Sequence, residues 1–319
     1  MCTRHCPRTF FGGGCQSYNM NFDFLAKCND FGGRVGWGSV GTALFFMISG
    51  AGLIYNYEGE DLDIRRFYFK RFLKMLPALY FTHIVVFIIL SIIQDSLLYK
   101  ITVRSVFLTL QGKALVGEWF TPVILFCYVL FPLMKILYER KKILTTLFFT
   151  LGFMINQKFK LFTLGSQWAS YVNGIYAFWI GMLIIGYRKK LSIKILPMLM
   201  VFLISIPLWG KYISLEGMWY YMPTILCAST LFTMMLYTNI NNHIVNKISS
   251  YSYEIYLIHH QIMYITFPII STVAKTQKQY MLFFVVLLFV TYCFAEKLNM
   301  LNRKFIDRVS MNMKRLDRK

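Results

Sequence analysis

The stretch WGSVGTALFFMISGAGLIY, residues 37–55, decides the fold class, because it runs for 19 residues without a charged side chain. A helix that crosses a bilayer needs about 20 mostly apolar residues. In lipid, only helices and closed barrels satisfy every backbone polar group. The run is continuously apolar and lacks the alternation of barrel strands. It therefore predicts a transmembrane helix.

Further apolar runs of this kind follow along the chain. Together with the first run, the predicted spans are residues 37–55, 75–94, 119–138, 143–157, 170–187, 192–209, 222–240, 251–272 and 280–296. The weakly apolar segment 101–116 is predicted to be interfacial or re-entrant. The sequence thus predicts an all-α, polytopic bundle of about nine transmembrane helices.

Composition supports this fold and excludes other classes. Apolar residues make up 57% of the chain and charged residues 15%, against about 45–50% and about 25% in soluble domains. The net charge of +20 lies in short loops between apolar runs, which indicates membrane orientation and a lipid partner rather than nucleic-acid binding. The cysteines form no C-x-x-C pair, so no metal site is predicted.

Lysine and arginine placement predicts the orientation, since cytoplasmic loops are enriched in both. The rich loops hold Arg65, Arg66, Lys70, Arg71 and Lys74 after the first span, Lys135, Arg140, Lys141 and Lys142 after the third, and Arg188, Lys189, Lys190 and Lys194 after the fifth. They alternate with poorer loops. We therefore expect a multi-pass protein of the inner (plasma) membrane with a cytoplasmic C-terminus.

This pattern divides the chain into a polar segment at 1–36, a membrane domain at 37–296 and a basic cytoplasmic tail at 297–319. Nine spans with the tail inside place the N-terminus outside, although residues 1–36 contain no cleavable signal pattern. We expect from this that a first helix is missing upstream. The alternative is that residues 1–36 form a natural polar ectodomain.

Ionisable residues inside spans are candidate functional groups, because a central charge costs at least about 2.5 kcal/mol to insert. The stretch SSYSYEIYLIHHQ, 249–261, holds Glu254, His259 and His260 on one helix; His83 and Glu118 are further candidates. Each has another interpretation. Glu254 is also consistent with an interfacial acid at a helix N-terminus, the paired histidines with interhelical hydrogen bonding, His83 with packing and Glu118 with a solvated loop end.

The stretch DIRRFYFKRFLKMLP, Asp63–Pro77, predicts an amphipathic helix that runs into the second span. Arg71 and Lys74 are three residues apart and so share one helical face. Two cations on one face beside a cavity suit phosphate groups. The alternative is an ordinary positive anchor at the membrane surface.

Four blocks in order resemble the membrane acyltransferase-3 family and cover residues 43–262. ALFFMISGAGLIY (Ala43–Tyr55) resembles its FF-x-x-SG helix, and FYFKRFLKMLPALY (Phe67–Tyr80) its helix with arginine, arginine and proline at three-residue intervals. GEWFTPVILFCYVLFPLM (Gly117–Met134) resembles the helix with Trp-Phe, tyrosine and proline in that order. ISSYSYEIYLIHHQI (Ile248–Ile262) resembles its S-Y-x-I-Y-L-x-H helix.

The resemblance implies a bundle of ten helices that transfers an acyl group, usually acetyl. The implied donor is acyl-coenzyme A on the cytoplasmic side, and the implied acceptor is a hydroxyl of a cell-surface polysaccharide or lipid-linked sugar. The family carries an arginine and a catalytic histidine about ten residues apart in its first helix. This sequence departs there, since no apolar helix precedes residue 37. It also has Lys74 where the family often has arginine, which loses the bidentate fork.

On this basis His5 is assigned as the catalytic base, and Glu254 as a second catalytic residue that lines the membrane cavity. Arg71 and Lys74 are expected to bind the donor's phosphates or pantetheine end, while Trp119, Tyr253 and His259 are expected to line the substrate cavity. Both direct transfer and a covalent acyl-histidine route fit. The competing class is a transporter or flippase of a glycan or lipid precursor, but the short, broken, paired helices expected for that class are not evident in the sequence.

Overall fold

The computed structural model describes residues 30–31, 35–93, 120–159, 167–190, 198, 200–201, 221–238, 242–273 and 276–316. Its helices are α1 (Trp37–Tyr57), α2 (Ile64–Ile93), α3 (Phe120–Phe159), α4 (Gln167–Gly186), α5 (Met222–Met235), α6 (His243–Ser250), α7 (Ser252–Val273) and α8 (Gln277–Leu316). A two-residue antiparallel pair, β1 (Asp30–Phe31) and β2 (Val35–Gly36), precedes α1. The predicted all-α polytopic bundle is confirmed.

Among the described residues, four helices are long and apolar enough to cross a bilayer, within Gly38–Tyr57, Ile64–Ile89, Phe120–Phe159 and Met281–Met311. Two shorter apolar helices accompany them. As predicted, α2 begins in the basic stretch and continues through Pro77. The predicted interfacial segment 101–116 lies outside the described residues, as does almost all of the predicted span 192–209.

Helix α3 consists of two helical halves that form a hairpin. Its 40 residues are interrupted at Lys141, which has non-helical backbone angles (φ −139°, ψ 40°). Before the break, Phe126 packs on Tyr171 and Phe131 on Phe178, so this half runs parallel to α4. After the break, the contacts run along α4 in the reverse direction. Thr146 bonds to Trp179, and the later residue Gln157 bonds to the earlier residue Asn173. The two halves therefore cross in opposite directions, as the separate predicted spans 119–138 and 143–157 require.

Helices α1 and α4 form the centre of the bundle and approach each other through glycines. A Cβ atom on Gly50 would collide with the Phe178 carbonyl, and one on Gly181 would collide with the backbone of Met47. Small residues allow such close contact between helices in lipid. The core around this pair includes the fully buried side chains of Phe46, Ile54 and Trp179.

The lysine- and arginine-rich loops lie at one end of the bundle. The amide of Gly59, after α1, donates to the Glu139 carboxylate at 2.9 Å. The Arg188 guanidinium, after α4, lies 4.7 Å from the centre of the Tyr55 ring. The loop after α1 thus contacts α3 close to its break, and the last turn of α1 contacts the segment after α4. The alternation of basic loops in the sequence corresponds to a single basic end in three dimensions.

Candidate functional site

Arg71 enters the bundle on the buried face of α2. Phe67, Arg71 and Met75 are four residues apart and so lie on one helical stripe, with Phe67 and Met75 buried. The guanidinium carbon of Arg71 lies 5.7 Å from the ring centre of Phe67 and 5.8 Å from that of Tyr128. Its Nε atom is buried and has no hydrogen-bond partner among the described residues. The aromatic rings hold the cation by cation–π attraction while Nε remains available to a ligand.

Lys74, one turn further along α2, has an exposed side chain. Its backbone carbonyl accepts a hydrogen bond from Asn302 Nδ2 at 3.2 Å. The backbone of Lys74 is thereby tied to α8.

Two pairs of hydroxyl groups extend the site from Arg71. The Tyr128 hydroxyl pairs with Ser49 on α1 and interacts electrostatically with Arg71. The Tyr253 hydroxyl lies next to Thr121 and close to Tyr128 and Glu254. Apart from this contact with each other, neither the Tyr253 nor the Thr121 hydroxyl has a hydrogen-bond partner within the part of the chain that the structure describes. A hydroxyl can both donate and accept, so the pair keeps capacity to bind another group.

Glu254 is the buried acid of the site, with only 4% of its surface exposed. Its Oε1 atom accepts hydrogen bonds from Asn299 Nδ2 at 3.0 Å and from Asn302 Nδ2 at 3.4 Å, both on α8. Hydrogen bonds from two amides offset much of the cost of burying a carboxyl group. The Asn302 Oδ1 atom faces no donor among the described residues.

These residues form one assembly drawn from α1, α2, α3, α7 and α8. We call it the buried polar cluster: Ser49, Arg71, Thr121, Tyr128, Tyr253, Glu254, Asn299 and Asn302. Buried polar groups in proteins are nearly always paired, so a concentration of unpaired ones needs a reason. Here the unpaired atoms include donors on Arg71, Thr121 and Tyr253. Donors grouped in this way can bind the oxygen atoms of an anionic or carbonyl-bearing ligand.

His259 and His83 each contact a backbone carbonyl of their own helix. His259 Nδ1 is 2.7 Å from the Tyr256 carbonyl of its own helix, and its ring lies 5.7 Å from that of Tyr256. His83 is fully buried on α2, with Nδ1 2.9 Å from the Leu79 carbonyl. Its Nε2 atom has no partner in the described ranges, a state that the interpretation of His83 as simple packing does not account for.

The structure brings Arg71, Tyr253 and Glu254 to one place, with the backbone of Lys74 at its edge. His5, Glu118 and Trp119 lie outside the described residues, as does the side chain of His260. Sequence reasoning missed five members of the cluster: Ser49, Thr121, Tyr128, Asn299 and Asn302. Three of the five carried no distinguishing signal, since a neutral polar residue in or near a span is unremarkable. Ser49 and Tyr128 were the exceptions, because Ser49 is the serine of the FF-x-x-SG block and Tyr128 is the tyrosine of the Gly117–Met134 block.

One comparison with known proteins identifies a family for the chain. A family model described as an acyltransferase domain matches residues 8–295, which is most of the 319 residues. Neither a curated protein nor a solved structure matches the chain. The matched range includes every member of the buried polar cluster up to Glu254 and ends shortly before Asn299 and Asn302.

Proposed function

The chain belongs to the acyltransferase-3 family, and we propose that it transfers an acyl group, acetyl in the usual case for this family, from acyl-coenzyme A to a hydroxyl. The proposed acceptor is a cell-surface polysaccharide or a lipid-linked sugar. The finding that supports a donor site is the buried polar cluster, where Arg71, Thr121 and Tyr253 carry unpaired donor atoms.

Arg71 is proposed to bind the donor. Coenzyme A carries phosphates, and a guanidinium group forms strong, charge-assisted hydrogen bonds with phosphate oxygens. Arg71 is already oriented by Phe67 and Tyr128, so little side-chain freedom is lost when a ligand binds. Lys74 adds a second, exposed cation one turn away. The Thr121 and Tyr253 hydroxyls are placed to donate to oxygen atoms further along the donor.

The chemistry requires a base, because an alcohol is a poor nucleophile at neutral pH. In the proposed reaction His5 accepts the hydroxyl proton, the acceptor oxygen bonds to the thioester carbonyl carbon, and the carbon–sulfur bond breaks. Coenzyme A leaves as a thiolate and takes the proton from the imidazolium. In the covalent alternative the acyl group bonds first to the His5 ring nitrogen and then passes to the acceptor oxygen.

The other proposed site residues surround this reaction. Glu254 is proposed to act in catalysis through its position beside Tyr253, and donors aimed at the developing oxyanion would lower the barrier. Trp119, Tyr253 and His259 are proposed to line the cavity for the acceptor. No metal is needed for any step of this scheme.

The test is release of free coenzyme A. Membranes that contain the protein would be incubated with acetyl-coenzyme A, with and without a glycan extract of the cell envelope, and free thiol would be measured. The proposal expects thiol release that depends on the glycan and is lost with Arg71→Ala. A transporter or flippase would move the glycan across the membrane and release no thiol above that of control membranes, which would contradict the proposal.

A further inference from the structure

A groove lies on the side of the bundle between the second half of α3 and the end of α4. Its volume is about 170 Å³, and it is lined by Lys142, Ile143, Thr146, Leu147, Leu183 and Tyr187. None of these residues belongs to the buried polar cluster. The groove is therefore a separate feature that acyl transfer at Arg71 does not explain.

The length of the groove is apolar. Ile143 and Leu147 are one turn apart and are 76% and 63% exposed, so they face the surroundings of the bundle. The Thr146 hydroxyl is already engaged, because it donates to the Lys142 carbonyl at 2.7 Å and accepts from Trp179 Nε1 at 3.1 Å. This part of the lining suits a hydrocarbon chain.

The end of the groove is cationic. The Lys142 ammonium lies 3.8 Å from the ring centre of Tyr138 and 5.4 Å from that of Tyr187. Lys190 lies 5.8 Å from the same Tyr187 ring. Within the described ranges, Lys142 forms no salt bridge with a carboxylate. Two cations thus flank one tyrosine at the basic end of the bundle.

A buried hydroxyl adjoins this cationic end. Tyr138 is fully buried, and its hydroxyl lies beside Lys142 and against Gly186. Apart from this contact with Lys142, it has no hydrogen-bond partner within the part of the chain that the structure describes. The break at Lys141 is what brings Lys142 over this hydroxyl at the start of the second half of α3.

We propose that the groove binds an anionic phospholipid. The phosphate would contact Lys142, with Lys190 nearby, and one acyl chain would lie along Ile143, Leu147 and Leu183. An ammonium group has three donors, so the two tyrosine faces leave donor capacity for a phosphate oxygen. A cation at the end of an apolar strip matches an amphiphile with a negative head, and basic pockets between transmembrane helices bind anionic headgroups in this way.

The test is lipid binding by the purified full chain in detergent, measured by native mass spectrometry during titration with dioleoyl phosphatidylglycerol. Lys142→Gln should weaken binding of the first lipid by about tenfold, which corresponds to about 1.4 kcal/mol. Leu147→Gln should also weaken lipid binding, because the acyl chain of the lipid loses apolar contact with the groove. Leu147 is exposed and Lys142 is half-buried, and neither residue belongs to the buried core.

Lys158→Gln is the matched control. It lies on the same helix, also beside an aromatic ring, 5.4 Å from the centre of Phe159, but it does not line the groove. It should leave the affinity unchanged. Dioleoyl phosphatidylcholine and glycerol phosphate should bind weakly, since one lacks net charge and the other lacks chains. Equal binding of both phospholipids, or binding insensitive to Lys142→Gln, would overturn the proposal.

Discussion

At the scale of single residues, each unpaired donor of the buried polar cluster lowers the stability of the ligand-free protein. A buried polar atom without a partner costs about 1–3 kcal/mol. Arg71, Thr121 and Tyr253 each carry such an atom in the described structure. A ligand that pairs them recovers this free energy on binding. The cluster therefore has the properties expected of a prepared binding site rather than of packing.

Arg71→Ala should weaken use of the acyl-coenzyme A donor more than use of the acceptor. Loss of a charge-assisted contact costs about 1.5–3 kcal/mol, so kcat/KM for the donor should fall by roughly 10- to 150-fold. Kinetics with varied acetyl-coenzyme A would measure this. Arg65→Ala is the control, because it removes an exposed cation on the same helix. An unchanged donor KM and rate in Arg71→Ala would refute the role of Arg71.

Glu254→Ala should destabilise the fold, because Asn299 and Asn302 lose the side-chain acceptor that they share and keep only the backbone carbonyls of Ser250 and Lys74. The free energy of unfolding should fall by about 1–3 kcal/mol. Glu254→Gln keeps a side-chain oxygen and should lose less. Reaction of the buried Cys127 and Cys227 thiols with a thiol-reactive dye during heating would report unfolding. The control is Glu58→Ala, which changes an exposed acid. Equal melting temperatures for Glu254→Ala and Glu58→Ala would argue against a structural role of Glu254.

The residues around Glu254 show which parts of the site could be predicted from the sequence. Glu254 could be predicted because a charge within a span is costly, and Arg71 because it shares one helical face with Lys74. Asn299 and Asn302 could not, because they fall beyond the predicted end of the last span at 296, in what was predicted to be a basic tail. The structure continues α8 to Leu316, and this continuation brings both amides against Glu254.

At the scale of helices, the fold depends on how closely α1 and α4 approach. Gly50 and Gly52 are two residues apart on α1 but differ in surroundings. A Cβ atom on Gly50 would collide with the Phe178 carbonyl, whereas one on Gly52 would have no neighbour within 4 Å. The two glycines therefore make a matched pair for testing the contact.

Gly50→Ala should destabilise the bundle by about 1–3 kcal/mol through overpacking. Gly52→Ala should be neutral or stabilising, because alanine favours a helix over glycine by about 1 kcal/mol. Thermal unfolding of the two variants in the same detergent would compare them. The same loss of stability in both would mean that the effect comes from the α1 backbone and not from the contact with α4.

Helix boundaries and reversals followed from the sequence more readily than helix contacts did. Arg140, Lys141 and Lys142 interrupt the apolar run, and the predicted reversal between spans three and four coincides with the break at Lys141. The contact between Gly50 and Phe178 has no such signal. It depends on which helix is the neighbour, which apolarity does not encode, since every face of a helix in lipid is apolar.

At the scale of the whole molecule, the single basic end supports the predicted orientation. We expect the C-terminus to be cytoplasmic and the loop at 210–221 to be outside, because lysine and arginine are retained on the cytoplasmic side. Reporter fusions at the two positions would test this. Signals from opposite sides of the membrane are expected, and signals from the same side would contradict the topology.

The central claim is that this chain transfers an acyl group from coenzyme A through a site that contains Arg71. The most direct measurement uses the purified protein in lipid vesicles, radiolabelled acetyl-coenzyme A and an envelope glycan extract. Label should appear in the glycan as an alkali-labile ester with the unmodified chain and with Arg65→Ala, and should be strongly reduced with Arg71→Ala. Absence of labelled glycan with the unmodified chain, or equal labelling with Arg71→Ala, would contradict the claim.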